Sequence, residues 1–166
     1  MDDKTAAAIE VRDLPALHVA YVRHTGPYQG SPEVFGQLFE KLCKWAGARG
    51  LLGRQGTSLL AVYHDDPDVT EASKLRVSVC LPVAEDTPVD GDVGKMTVAG
   101  GKFAVGRFEL GPGEYQQAWN LVYGTWLPES GFQPDDRLCY ESYPMDVQAT
   151  VPDKHVVDIC VPVKPL

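Results

Sequence analysis

A glutamate flanked by aromatic residues is the strongest candidate for chemistry in this sequence. Strand alternation across LCYESY, residues 138–143, places Glu141 on the same face as Cys139 and Tyr143. A buried carboxylate in such a place needs a nearby cation or takes up a proton, because burial disfavours its charged form. Glu141 would then be a cation receptor or a general acid or base. The alternative is an exposed strand glutamate, since glutamate is seldom fully buried.

Aromatic side chains are numerous enough to form the walls of a pocket around this glutamate. The faces of tyrosine and tryptophan rings attract organic cations through their quadrupoles. The three tryptophans lie at core spacing on two predicted helices, so most of them are expected in the core: Trp45, Trp119 and Trp126. The tyrosines available for the pocket wall are Tyr21, Tyr63, Tyr123 and Tyr143.

Other arrangements that carry chemistry are weak in this chain. The four histidines are scattered, and no pair of them has a recognised metal-ligand spacing. The Gly-x-Gly at 111–113 lacks the strand and helix context of a phosphate-binding loop. The sequence HDDP at 64–67 has the composition of an ordinary turn. We therefore expect no metal site and no cofactor.

Composition and charge exclude several classes of protein. The 166 residues, 44% hydrophobic and 23% charged, fit one globular domain spanning residues 1–166. No apolar run reaches the roughly 20 residues that a membrane helix needs, and the acidic start lacks signal-peptide features. A net charge of −8 disfavours nucleic acid as a direct partner. Four widely spaced cysteines are typical of reduced thiols, so we expect a cytoplasmic protein.

The chain repeats itself at an interval of about 80 residues. SVCLPV at 78–83 recurs as DICVPV at 158–163. The same offset relates Glu141 to Ala61, so the carboxylate is present in only one repeat. This departure from the repeat predicts a functional role for Glu141. We divide the chain into two repeats joined by an acidic linker: about 9–83, about 93–163, and 84–92.

Each repeat predicts two strands, a helix and two further strands. The opening strands are joined by short turns compatible with hairpins, at Pro15-Ala16 and Gly100-Gly101. Ser31 and Pro32 predict the start of the first helix, as N-cap and first helical residue. The closing strands alternate apolar and polar residues; they are expected at 57–64, 74–83, 138–143 and 155–163.

These elements predict an α+β fold. Two duplicated β-β-α-β-β halves form antiparallel sheets, with two main helices on one face. Two such halves close on each other to avoid leaving apolar surface in water, which predicts a central pseudo-twofold cleft between them. Clefts of this kind are the default places for small ligands.

Several segments resemble the GyrI-like small-molecule-binding family. They are VAYVRHTGPY at 19–28, the Gly-Pro at 111–112, WLPESG at 126–131 and CYESY at 139–143. The family includes DNA gyrase inhibitory proteins and the effector-binding domains of AraC- and MerR-type regulators. The resemblance covers about residues 9–163 and implies a cleft for lipophilic cations or drug-like molecules, with Glu141 as its inward glutamate. The chain departs from the family pattern at Met145-Asp146-Val147 and at Gly113.

The resemblance implies three functions of different classes. The leading one is a stand-alone binder of hydrophobic, often cationic molecules; no helix-turn-helix accompanies the domain, so a complete transcription factor is not expected. The second is a hydrolase of cyclopropanoid genotoxins with Glu141 and Tyr143 as catalytic residues. The third is a protein that modulates DNA gyrase by direct contact. The residues expected to contact a ligand are Glu141, Tyr143, Trp119, Tyr123, Tyr21, Tyr63, Trp126 and Phe39.

Overall fold

The computed structural model of the chain describes residues 9–28, 31–52, 58–66, 68–111, 113–145, 147, 149–150 and 152–166. Some positions used in the sequence analysis lie outside these residues, namely Thr57, Pro67, Pro112 and Asp146. No helix in the described part of the chain is long and apolar enough to span a bilayer.

The described residues form an antiparallel sheet of nine strands and two main helices, which confirms the α+β class. The strands are β1 Ile9–Leu14, β2 Leu17–Thr25, β3 Ser58–Tyr63, β4 Arg76–Pro82, β5 Gly94–Val98, β6 Gly101–Leu110, β7 Phe132–Pro134, β8 Cys139–Pro144 and β9 His155–Pro165. Eight of them follow the order β1-β6-β9-β8-β3-β4-β2-β5, and β7 pairs with β9.

Helix α1 spans Pro32–Ala48 and begins at the predicted residue. Proline suits this position because its missing N–H would have no partner inside the helix. Ser31 precedes it but makes no side-chain capping bond. Leu42 and Ala46 are fully buried between α1 and the sheet. The acidic segment at 84–92 is held against this helix, because Asp90 accepts hydrogen bonds from Trp45 Nε1 at 2.9 Å and from Arg49.

Helix α2 is short and changes its winding along its length. Its α-helical part spans Tyr115–Asn120, a π-helical turn follows at Leu121–Trp126, and a 3₁₀ turn at Leu127–Glu129 ends it. π-Helical turns are rare and occur frequently at functional sites. Three apolar residues of this helix are buried against the second half of the sheet: Ala118, Val122 and Leu127.

The hairpins expected at the start of each half do not form. Strand β1 pairs with β6 of the second half, and β5 pairs with β2 of the first half. The two opening strands are therefore exchanged between the halves. The turns at 15–16 and 99–100 carry the chain from one half of the sheet to the other instead of folding it back on its neighbour.

This exchange requires the sheet to curl. Three Cα steps from Leu14 to Leu17 reach at most about 11 Å. Strands β1 and β2 are six positions apart in the sheet order, which in a flat sheet would separate them by about 29 Å. The two crossing turns also touch, since a Cβ added to Gly100 would lie 2.5 Å from the backbone nitrogen of Ala16. The outer edges of the sheet are thus brought together.

The curled sheet has an inner and an outer face, each with its own core. The inner core is built from strand residues alone, among them Leu60, Phe103 and Tyr140. The outer face carries the two helices, with α1 over the first half and α2 over the second. A groove of about 660 Å³ remains on the inner face, lined by residues such as Leu60 and Ser142.

Candidate functional site

The centre of the sheet is the pairing of β3 with β8. Ala61 is the register partner of Glu141, Leu59 that of Tyr143, and Tyr63 that of Cys139. Residues paired in this way project from the same face of an antiparallel sheet. Glu141, Tyr143 and Tyr63 therefore share the outer face, between the regions that α1 and α2 cover.

Glu141 is buried, with 3% of its surface exposed. Trp119 Nε1 donates to its Oε2 over 2.6 Å, and the Tyr143 hydroxyl donates to its Oε1. The Tyr63 hydroxyl makes a third hydrogen bond to the carboxylate. All three donors come from aromatic side chains on three different elements: β3, β8 and α2. The carboxylate thus ties the two halves of the sheet to the second helix.

The electrostatics of this site are those of an isolated buried anion. Burial raises the pKa of the Glu141 carboxyl above its usual value, and the bonds from Tyr143, Trp119 and Tyr63 oppose that rise. Burial, and next the Glu141 charge, hold the pKa values of Tyr63 and Tyr143 well above 10, so both hydroxyls remain donors at neutral pH. Within the described ranges no lysine, arginine or histidine pairs with Glu141.

Aromatic rings surround the carboxylate and reach the surface. The Trp119 ring meets Tyr63 edge-on at 5.8 Å and stacks with Tyr123 at 6.0 Å, with 16° between the planes. On the α1 side, Phe39 meets the Tyr143 ring edge-on at 5.7 Å. Tyr123 is 40% exposed and forms the outer end of this series. The rings connect the buried anion to solvent through a continuous aromatic wall.

Two further aromatic residues of this wall were not among the predicted ligand contacts. Tyr28 is buried and packs on Tyr63 at 5.8 Å, and Phe35 packs edge-on against Tyr28 at the same distance. Burial raises the pKa of Tyr28 to about 12. Tyr28 ends the Gly-Pro-Tyr segment after β2, and that motif was the available signal. Phe35 belongs to the apolar stripe of α1, where nothing distinguished it from core residues.

Tyr21 and Trp126 are not brought to Glu141. Tyr21 is paired with Cys80, which in turn is paired with Leu60, so its side chain lies on the inner face, opposite Glu141. Its ring packs over Gly94 and under the Arg23 guanidinium, which is 4.6 Å from the ring centroid. Trp126 packs in the core beneath α2. Alternation assigns a residue to one side of its strand but does not say which side faces the site.

No group of three or more histidine, cysteine, aspartate or glutamate side chains in the described part of the chain is arranged to hold a metal ion. Cys139 and Tyr63 are register partners, and Tyr123 hydrogen-bonds the Cys139 thiol, so this thiol lies close to the aromatic wall. Burial raises the pKa of Cys139 to about 11, which keeps it protonated at neutral pH.

Comparison with known proteins decides the family. A family model described as the GyrI-like small molecule binding domain matches residues 7–164. The chain belongs to the GyrI-like family of small-molecule-binding domains. A relative within it is DNA gyrase inhibitor 2 of Dickeya dadantii, 36% identical over 136 residues that cover 80% of this chain and 82% of that protein. The resemblance inferred from the sequence motifs is thereby confirmed.

Several solved structures share the architecture. The C-terminal domain of EcmrR aligns with a TM-score of 0.68 at 14% identity, over 95% of this chain and 98% of that domain. This chain spans 57% of the EcmrR chain solved in complex with DNA. SAV2435, solved with bound tetraphenylphosphonium, aligns with a TM-score of 0.57 at 18% identity, over 94% of this chain and 93% of that one. At these identities the likeness shows the fold alone.

Proposed function

We propose that this GyrI-like domain binds a hydrophobic organic cation between α1 and α2, with Glu141 as the counter-ion. The observation that supports this most directly is a buried carboxylate that has no basic partner among the described residues. A ligand with positive charge offsets the unfavourable burial of that carboxylate. Each aromatic face in contact with the cation contributes about 0.5–2 kcal/mol.

The aromatic wall suits a flat or multi-ring cation better than a small ammonium ion. Trp119, Tyr123 and Tyr143 offer apolar area as well as quadrupoles, and burying apolar area contributes about 25 cal/mol per Å². Since Glu141 is only 3% exposed, the ligand must displace the covering rings to reach it. Trp119 and Tyr123 lie on the short α2 and its π-helical turn, which are shorter and less regular than α1. The proposed entry is therefore on the α2 side.

Tetraphenylphosphonium, the ligand of SAV2435, has the required chemistry: four phenyl rings around one positive charge. Its presence in a structural relative supports the proposed ligand class for this chain. The net charge of −8 also favours a cationic ligand, because it attracts cations to the protein surface.

The experiment is a fluorescence titration with a rhodamine cation. The wild-type chain should bind it saturably, and Glu141→Gln should bind at least about tenfold more weakly because the variant keeps the side-chain size but loses the charge. Glu129→Gln removes an equal charge from an exposed position and serves as the matched control. Failure of the wild-type chain to bind, or equal affinities for wild type and Glu141→Gln, would overturn the proposal.

A second candidate function is direct modulation of DNA gyrase, supported by the 36% identity to a protein named DNA gyrase inhibitor 2. Such contact would use the outer surface of the domain, whereas ligand binding uses a buried residue. A supercoiling assay with purified gyrase separates the two. Inhibition that is retained by Glu141→Gln would assign the gyrase effect to a surface distinct from the ligand site.

Hydrolysis of cyclopropanoid genotoxins has less support than binding. Glu141 already accepts hydrogen bonds from Trp119, Tyr143 and Tyr63. A general base must instead reach a water molecule in the reactive complex. Incubation with a cyclopropane-bearing genotoxin, followed by mass spectrometry for the water adduct, tests this activity. A product that forms with wild type and not with Glu141→Gln would make the domain an enzyme.

A further inference from the structure

The two halves of the sheet carry an equivalent arginine at the same place on the inner face. Arg23 on β2 is the register partner of Ser78 on β4, and Arg107 on β6 is the register partner of Asp158 on β9. The 80-residue offset that relates the closing strands maps Ser78 onto Asp158. One position therefore holds a hydroxyl in the first half and a carboxylate in the second.

In the second half this pair is complete. Arg107 Nε donates to Asp158 Oδ1 over 2.8 Å, and Arg107 Nη2 donates to Asp158 Oδ2 over 2.9 Å. This fork-to-fork arrangement is the preferred geometry of a guanidinium with a carboxylate. The second half thus shows that a carboxylate is the partner of the arginine at this position.

In the first half the equivalent arginine, Arg23, has only neutral partners. Arg23 Nε donates to Ser78 Oγ over 3.0 Å, and Nη2 lies 3.6 Å from the Met96 sulfur, a weak acceptor. The guanidinium also lies over the Tyr21 ring. Among the residues that the structure describes, no carboxylate forms an ion pair with Arg23. Its side chain is exposed, so a solute can reach it.

A second arginine, Arg76, and the imidazole of His64 lie close to Ser78 as well. His64 Nε2 lies 2.8 Å from Ser78 Oγ, so Arg23 and His64 meet at one buried hydroxyl. Burial, and next the charges of Arg23 and Arg76, lower the pKa of His64 to about 4. Arg76 itself is paired with Asp65, 2.9 Å away. Asp65 acts on His64 in the opposite direction but less strongly than the two arginines, so the field at this imidazole is positive in a protein that is acidic overall.

We propose that Arg23, Ser78 and His64 form a carboxylate-binding site. A carboxylate from outside the chain accepts from Arg23 Nη2, whose present partner is the weakly accepting Met96 sulfur, as Asp158 Oδ2 accepts from Arg107 Nη2 in the second half. The ligand is a carboxylate rather than a larger anion because the repeat itself supplies a template of that size. It is carried by a free molecule or by an acidic side chain of a partner protein. This site lies on the opposite face of the sheet from Glu141 and does not depend on the function proposed for Glu141.

Sodium acetate, titrated at constant ionic strength, is the first probe. NMR follows the Arg23 Nε–H and the His64 ring resonances. The wild-type chain should show saturable shifts of both, together with a rise in the pKa of His64, because the bound negative charge offsets that of Arg23. Arg23→Gln should weaken acetate binding at least about tenfold, as expected for loss of a charge-assisted hydrogen bond. Arg12→Gln, in which the lost arginine is already paired with Glu10, is the control.

Ser78→Asp supplies the carboxylate from within the chain. It should abolish acetate binding and raise the unfolding temperature, because it would give Arg23 the same type of carboxylate partner that Asp158 gives Arg107. A capped Gly-Asp-Gly peptide distinguishes the two sources: tighter binding than acetate indicates a protein partner, and equal binding indicates a free carboxylate. Shifts that never saturate, or equal acetate binding by wild type and Arg23→Gln, would overturn the proposal even if Ser78→Asp fails to fold.

Discussion

Ala61 and Glu141 lie directly opposite each other across β3 and β8, and the repeat offset maps one onto the other. Opposite residues in an antiparallel pair have Cβ atoms about 4.5–5.5 Å apart. Two carboxylates at that distance would repel, and one of them would take up a proton. The pairing of the two halves thus allows only one glutamate at the centre of the sheet. The small side chain of Ala61 leaves room for the aromatic rings that hydrogen-bond Glu141.

The pH dependence of stability is expected to differ between wild type and Glu141→Gln. The folded-state pKa of Glu141 is raised above its usual 4.5, so the folded protein holds this proton more tightly than the unfolded chain does. The resulting stability is fully present below about pH 4.5 and is lost as pH rises through the folded-state pKa. The unfolding temperature of Glu141→Gln relative to wild type should therefore rise between pH 4 and pH 8. A difference that stays constant across this range would contradict the assignment.

Trp119→Phe should destabilise the protein by more than the smaller buried ring area alone would explain. The variant keeps an aromatic ring but removes the N–H that donates to Glu141 over 2.6 Å. Leaving a buried acceptor with one donor fewer lowers the free energy of unfolding by about 1–3 kcal/mol. The control is Trp45→Phe, whose indole donates to the exposed Asp90 and whose loss should be smaller. Urea unfolding measures both, and equal losses would argue against a special role for the Trp119 bond.

Tyr123→Ala should separate ligand affinity from stability. Tyr123 is 40% exposed, so its removal should lower the unfolding temperature less than removal of a buried ring such as Tyr28. Because its ring stacks on Trp119 at the outer end of the aromatic wall, rhodamine affinity should fall about tenfold. Fluorescence titration and thermal unfolding on the same preparation test this. Unchanged affinity would place the ligand elsewhere.

Gly94→Ala should destabilise the folded protein through a steric clash with Tyr21. A Cβ at this position would lie 2.6 Å from the Tyr21 ring, a distance that requires the ring to move. Overpacking of this kind lowers the free energy of unfolding by about 1–3 kcal/mol. The equivalent of Tyr21 in the second half is Val105, which pairs with Cys160 of β9 as Tyr21 pairs with Cys80 of β4. Tyr21→Val should therefore suppress the effect of Gly94→Ala in a double-mutant cycle, whereas additive losses would disprove the steric cause.

The sequence predicted Glu141 and its aromatic neighbours on β8 because a strand's two-residue period and the repeat are both local patterns. Alternation placed Tyr143 beside Glu141, and comparison of the halves singled out the carboxylate against Ala61. Alternation could not place Tyr21, because the face of a strand that lies towards the site depends on which other strands pair with that strand. The π-helical turn in α2 was likewise not predictable, because Ala118, Val122 and Trp126 follow one another at the four-residue spacing of an ordinary α-helical stripe.

The pairing between distant strands is the feature of the fold that local sequence patterns predict least well. The turns predicted at Pro15-Ala16 and Gly100-Gly101 have the length of hairpin turns, and local chemistry alone favours a hairpin there. Instead, the outer edge of each half is completed by the opening strand of the other. Apolar burial across the curled inner face decides between the two arrangements, and that burial involves residues more than 80 positions apart, such as Val19 and Phe103.

The exchange of β1 and β5 means that neither half is complete by itself. A chain cleaved in the 84–92 segment would give two fragments, each carrying one strand that belongs beside the other fragment's β2 or β6. Each fragment alone would have an unpaired strand edge and an uncovered core, both of which promote aggregation. The halves are thus interlocked like the protomers of a strand-swapped dimer joined into one polypeptide, and we expect the two fragments to assemble as a complementing pair.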